Sequence, residues 1–165
     1  FFDRVLGSSR MTVIAEAGVI LTDDIEAADQ NYGRNSVFGL GDFDVGGGVN
    51  CTNLVAAGQL SGDCKDDGYV TDTAWGYRVR AQLAYPNVFA GVSLSPTIDW
   101  QHDVSGYSPD PGQQFNEGAK SFGVSLEAVY QQTYSASMSF RSFSGGDYNI
   151  LSDKDFLALS FGITY

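Results

Sequence analysis

The sequence predicts an all-β chain: an antiparallel transmembrane β-barrel segment of six meander strands, residues 1–165 forming one unit. Three observations carry that expectation. The terminal ten residues alternate strictly between apolar and small or polar side chains, five earlier stretches do the same, and the connections between them alternate between long and short.

In the terminal stretch, 155–165, Leu157, Leu159, Phe161, Ile163 and Tyr165 fall on one face, and Phe156, Ala158, Ser160, Gly162 and Thr164 on the other. Side chains of a strand point alternately to its two sides, so this is one greasy and one mostly small or polar face. About ten residues is the length of a tilted strand crossing a bilayer. The aromatic end of the chain resembles the C-terminal signal that the barrel-assembly machinery reads in bacterial outer-membrane proteins, which makes that machinery an expected partner.

The other strands follow in order. Residues 1–10 read as a turn into a strand at 11–21, with Met11, Val13, Ala15, Ala17, Val19 and Leu21 on one face, and Thr12, Ile14, Glu16, Gly18 and Ile20 on the other. A long extracellular loop, 22–71, comes next, with a small hairpin expected near 36–40. A structureless connection of that length argues against a compact soluble domain but is ordinary on the outer side of a barrel. Strand 73–85 sets Trp75, Tyr77, Val79, Ala81, Leu83 and Tyr85 against Gly76, Arg78, Arg80, Gln82 and Ala84. Pro86-Asn87 predicts a tight turn, because proline fits a turn and not a ladder. Strand 88–100 places Val88, Ala90, Val92, Leu94, Pro96, Ile98 and Trp100 together, with a bulge expected at Pro96. A loop at 102–118 leads to strand 119–130, which carries Phe122, Val124, Leu126, Ala128 and Tyr130 on one face. A turn at 131–133 leads to strand 134–143, carrying Tyr134, Ala136, Met138 and Phe140. A short loop around 145–147 then precedes the terminal strand.

Every long loop thus falls at one end of the strands and every short turn at the other. Tyr85, Tyr130, Tyr134 and Tyr165 lie at the short-turn end of the apolar face and Trp75 and Trp100 at the long-loop end, an arrangement expected of aromatic girdles facing outer-membrane lipid. Bacterial barrels begin at about eight strands, and an open sheet edge in hydrocarbon costs several kcal/mol per unpaired backbone group. Six strands therefore predict pairing with the remaining strands of a larger barrel, this chain being its C-terminal part. No charged n-region with an apolar core opens the chain, which fits a mature form or such a part.

The net charge of −11 argues against a nucleic-acid partner, which needs a basic surface. No run of apolar residues is long enough for a transmembrane helix. Acidic residues crowd the long loop, from Asp23 and Asp24 to Asp72, and read as a solvated surface without EF-hand spacing. Cys51 and Cys64 are the only cysteines. With no histidine nearby to complete a metal site, they predict a disulfide in an oxidising compartment, worth about 3 kcal/mol. No cofactor and no metal is expected.

Six stretches together resemble one family. They are Tyr32-Gly33-Arg34-Asn35-Ser36-Val37-Phe38-Gly39, Asp67-Gly68-Tyr69-Val70-Thr71, Ala74-Trp75-Gly76-Tyr77-Arg78-Val79-Arg80, His102-Asp103-Val104-Ser105-Gly106-Tyr107-Ser108-Pro109, Gly145-Gly146-Asp147-Tyr148-Asn149 and Asp153-Lys154-Asp155-Phe156-Leu157. The family is one of large proteobacterial outer-membrane proteins, the domain of unknown function thirteen-oh-two. Its members are several times longer than 165 residues. Its genes often neighbour those of a lipoprotein-sorting-like periplasmic protein and a large inner-membrane exporter. The resemblance therefore implies the outer membrane of a Gram-negative bacterium and envelope transport of small or hydrophobic, lipid-like cargo. It brings no catalytic residues.

The polar face carries the expected lumen-lining charges Glu16, Arg78, Arg80, Asp99, Glu127 and Arg141, with Glu16 expected to pair with Arg80. Such charges either stiffen the wall as an ion-pair network or form a basic stripe that tunes which solutes pass. His102 and Ser105 share a loop, but no third group or oxyanion site accompanies them, so no catalytic residue and no enzyme is expected. Two functions stand: a porin-like transport barrel, or a structural or surface-interaction barrel with a plugged lumen and an acidic, disulfide-closed loop.

Overall fold

The computed structural model describes residues 4–23, 33–39, 41–42, 49–60, 64–65, 67–109 and 113–164. Six strands form one antiparallel sheet in chain order. They are β1 (Arg10–Leu21), β2 (Thr73–Phe89), β3 (Val92–Ser105), β4 (Lys120–Tyr130), β5 (Tyr134–Ser144) and β6 (Phe156–Ile163). Among the described residues the only helical structure is α1 (Cys51–Ala56) and two three-residue 3-10 turns, Val5–Gly7 and Ser36–Phe38. The chain is all-β, as its alternation predicts.

Residues paired across strands share a face, so the register tests the alternation directly. Val13 faces Ala81, Ala81 faces Ile98, Ile98 faces Val124, Val124 faces Phe140 and Phe140 faces Leu157. One row below, Pro96, Leu126, Met138 and Leu159 continue the same side, and in the row after it Leu94, Ala128, Ala136 and Phe161 do so. The apolar sets of all six strands therefore merge into one continuous surface. The opposite face reads Thr97, Ser125, Ser139 and Ala158 along one row, and Ser95, Glu127, Ser137 and Ser160 along the next.

Among the described residues no second layer covers the apolar surface. Phe161 is 83% exposed, Leu157 and Leu159 63% and Ile163 65%, and Val124, Leu126, Met138 and Phe140 are also exposed. Among the described residues the buried apolar side chains are Cys51, Val70, Ala74 and Ala119, all in or beside the long connections. Six strands about 4.8 Å apart and roughly ten residues long present a face on the order of 900 Å². Soluble monomers rarely leave more than a few hundred Å² of contiguous apolar surface bare. Among the described residues β1 and β6 lie at the two edges, each with one hydrogen-bonded neighbour.

Several local expectations are corrected. Strand β2 runs through Pro86-Asn87, and the chain reverses at Ala90-Gly91, whose φ of 49° and 85° suit the left-handed hairpin turns that match strand twist. Tyr85 still faces Leu94 and Phe89 faces Val92, so residues 86–88 bulge out of the ladder. Asn87, at φ 51°, holds that bulge by accepting Gly91 N–H on its side-chain oxygen at 3.0 Å. Val88 and Ala90 accordingly do not belong to the third strand. Pro96 makes no bulge and sits in register opposite Leu126. His102–Ser105 belongs to β3 and not to a loop, with a register shift that sets Trp75 against Ser105 and Gly76 against Asp103. In place of a hairpin near 36–40 stands the 3-10 turn Ser36–Phe38. Tyr165 lies outside the described residues.

Candidate functional site: the polar face and the loops folded over it

The charged residues of the polar face come from neighbouring strands at adjacent levels. Arg80 Nε meets Asp99 Oδ1 at 2.6 Å, and Arg141 Nη2 lies 3.9 Å from Asp99 Oδ2. Gly123 stands between Asp99 and Arg141 in the register, and a Cβ there would sit 3.3 Å from Arg141 Nη2. The missing side chain leaves the guanidinium its path across β4. With the Arg80 side chain 58% exposed, the Arg80–Asp99 pair contributes about 1 kcal/mol or less.

The expected Glu16–Arg80 pair does not form: Glu16 stands opposite Arg78, and Ile14 opposite Arg80. Alternation defines a face but allows a slide of two residues, and the long connection before β2 imposes no turn geometry that would forbid it. Glu127 lies further along the face, between Ser95 and Ser137.

Loops cap this face at one end. The loop after β3 is anchored by Ser108, whose buried hydroxyl accepts Gln114 N–H at 2.7 Å and Phe115 N–H at 2.9 Å. Buried Asp103 accepts from Gln101 Nε2 and from Asn116 N–H, each at 3.1 Å. Glu117 Oε2 accepts Gly106 N–H at 2.7 Å and Ser105 Oγ–H at 3.4 Å. So held, the loop lays the Phe115 ring over the facing glycines Gly18 and Gly76: a Cβ on Gly18 would lie 3.1 Å from the ring, and one on Gly76 3.0 Å. An aromatic ring over strand glycines replaces the packing that glycine lacks.

The other loops join through Tyr148. Its ring meets Phe38 and Tyr107 edge-to-face at centroid distances of 5.4 and 5.8 Å and packs against Gly68, and its hydroxyl donates to Asp67 Oδ1. Its carbonyl accepts Asn116 Nδ2–H at 2.7 Å. Arg34 stacks on Tyr69 at 4.3 Å and donates to the carbonyls of Lys65, Asp67 and Gly39. Burial, then the nearby charges of Glu117, Asp147 and Asp67, push the Tyr107 hydroxyl up to about 12. Tyr148 is also raised, first by burial and then by its bond to Asp67, against an opposing effect of Arg34. Cys51 and Cys64 form a disulfide, with α1 beginning at Cys51 and its first turn capped by Asn50, whose Oδ1 accepts Asn53 N–H at 2.9 Å.

Of the aromatic residues singled out in the sequence, Tyr130 and Tyr134 stack at 6.3 Å, Trp100 Nε1 donates to Tyr77 Oη at 3.3 Å, and Tyr85 Oη–H donates to Leu6 O at 3.1 Å. The His102 ring packs edge-on against Tyr77, while Ser105 turns to Glu117. Among the described residues no three His, Cys, Asp or Glu side chains gather where they could hold a metal ion.

Residues 2–165 match the family model described as Protein of unknown function (DUF1302). The chain belongs to this family. No curated protein and no solved structure matches the chain. In this DUF1302 chain, four of the stretches that carry the sequence resemblance supply the loop cluster: Arg34 and Phe38 from the first, Asp67, Gly68 and Tyr69 from the second, Tyr107 and Ser108 from the fourth, and Tyr148 from the fifth. Sequence reasoning singled out those stretches but not their convergence, and it passed over Phe115 and Asn116 altogether. The one local signal for Phe115 is the glycine in each of two strands at the loop end.

Proposed function

We propose that these strands form part of the wall of an outer-membrane barrel, with the apolar face against acyl chains and the polar face around a lumen through which small or hydrophobic, lipid-like cargo passes. The observation that carries the reading is the uncovered apolar surface running unbroken across all six strands, backed by a face of Ser, Thr, Gly and charged residues. A soluble sandwich buries such a surface against a second sheet. Further support comes from the aromatic positions. Ten residue steps from Trp75 to Tyr85, at about 3.3 Å each and a tilt near 45°, rise roughly 24 Å, close to the apolar band of about 25 Å in such barrels. The free edges of β1 and β6 call for neighbouring strands, because hydrocarbon cannot satisfy their backbone groups. In this reading the partners are membrane lipid, the assembly machinery and the rest of the barrel, and the residues of the polar face select cargo without transforming it.

Thiol labelling tests the orientation. The whole protein containing this chain is placed in lipid vesicles with single cysteines at Leu126 and Leu159, or at Ser125 and Ser160. A water-soluble maleimide is expected to reach only the serine positions. Equal labelling of both sets sinks the proposal. A second reading, a plugged structural barrel, is favoured by Phe115 lying across the polar face. Single-channel conductance separates the two: a plugged barrel stays silent.

A further inference from the structure

Above Arg78 and Arg141, between the polar face and the loops near residues 33–35, 113–119 and 148–151, lies a cleft of about 370 Å³. Its charge runs against that of the chain. Three of the nine Lys and Arg residues line it (Arg78, Lys120 and Arg141), and among the described residues Asp103 is the one acid that does. Both Asp103 oxygens already accept hydrogen bonds from the protein. Arg78 forms no ion pair within 4.0 Å among the described residues, and Arg141 reaches Asp99 only at 3.9 Å. One wall is apolar: Phe143 lines the cleft beside Ile150 and Leu151, which stand 46% and 45% exposed.

We infer that this cleft binds an amphiphilic organic anion, its carboxylate or phosphate head held by Arg78 and Arg141 and its hydrocarbon part lying on Phe143, Ile150 and Leu151. The volume falls within the range of small-molecule sites, and guanidinium groups match carboxylate and phosphate geometry. A purely inorganic anion would leave the apolar wall wet, and a neutral lipid would leave Arg78 without an ion-pair partner and Arg141 with only its long contact to Asp99. The inference rests on the polar face being open to solutes, as proposed above, and it gives that passage a substrate class.

The test titrates the whole protein in lipid nanodiscs with hexanoate, hexanol and inorganic phosphate by calorimetry, with empty nanodiscs as the blank. Hexanoate is expected to bind saturably at one site, and Arg78→Gln and Arg141→Gln each to weaken it about tenfold, the loss of one charge-assisted contact. Hexanol or phosphate binding as tightly as hexanoate overturns the assignment, as does a variant pair that binds like the parent. Should Arg141→Gln misfold through loss of its contact with Asp99, Arg78→Gln decides alone. Hexanoate binding without aqueous labelling of Ser125→Cys would defeat the lumen and keep the cleft, and labelling without binding would do the reverse.

Discussion

Gly76 is the position where a single methyl group tests how the loops are seated. A Cβ there would lie 2.7 Å from the His102 carbonyl oxygen, 3.0 Å from Asp103 Cα and 3.0 Å from the Phe115 ring. Two of those three contacts are backbone of the adjoining strand, in the stretch where the register shifts, and cannot swing aside. Gly18 faces Gly76 across β1 and β2, yet the nearest atom to its Cβ is the tip of the Phe115 ring at 3.1 Å. Gly76→Ala is therefore expected to cost about 1–3 kcal/mol, the range for overpacking against a rigid surround, and Gly18→Ala less than about 1 kcal/mol. Urea unfolding in lipid vesicles, followed by tryptophan fluorescence, measures both. A double-mutant cycle sharpens the argument. In a Phe115→Ala background the cost of Gly18→Ala should vanish, because only the ring opposes it, while most of the cost of Gly76→Ala should remain. If Phe115→Ala also erases the Gly76→Ala penalty, or if the two glycines cost the same, the seating deduced for this loop is wrong.

Three further outcomes are expected. Leu159→Arg, on the apolar face of β6, should destabilise the protein in vesicles by about 2–4 kcal/mol, whereas Ser160→Arg on the other face should cost far less; similar urea midpoints would contradict the lipid assignment. Because Tyr107 is raised from the ordinary 10.0 to about 12, its contribution to loop stability is fully present below about pH 10 and is lost as pH rises through its folded value. Phenolate absorbance should therefore show late tyrosine titration whose amplitude falls in Tyr107→Phe, the remainder belonging to Tyr148, which is raised as well. Reducing the Cys51–Cys64 bond, which spans 13 residues, should remove about 3 kcal/mol from the surrounding loop. Hydrogen exchange should then rise across α1 and stay unchanged in β3 and β4.

The strands were legible in the sequence, and the reason is local. Leu157, Leu159 and Phe161 share a side wherever β6 pairs, because the two-residue period belongs to the extended backbone. The family was legible too, from short stretches such as Asp67-Gly68-Tyr69-Val70-Thr71. The first tight turn was misplaced because Pro86-Asn87 carries a strong turn signal that the ladder between β2 and β3 absorbs as a bulge, reversing instead at Ala90-Gly91. Helix α1 escaped notice because six residues give too short a period to read, and its cap and disulfide make up for that shortness.

The candidate site divides in the same way. That Arg78, Arg80, Asp99 and Arg141 lie on one side of the sheet follows from counting in twos. That Asp99, and not Glu16, takes Arg80 does not, because sliding a strand by two residues preserves every face while changing every partner. By itself the sequence determined that this chain is a meander of two-faced strands, since that pattern is written residue by residue. Only the tertiary structure decided that Arg34, Tyr107 and Tyr148 come together and that Phe115 lies over Gly18 and Gly76, because loops dozens of residues apart are joined by contacts that no local period encodes.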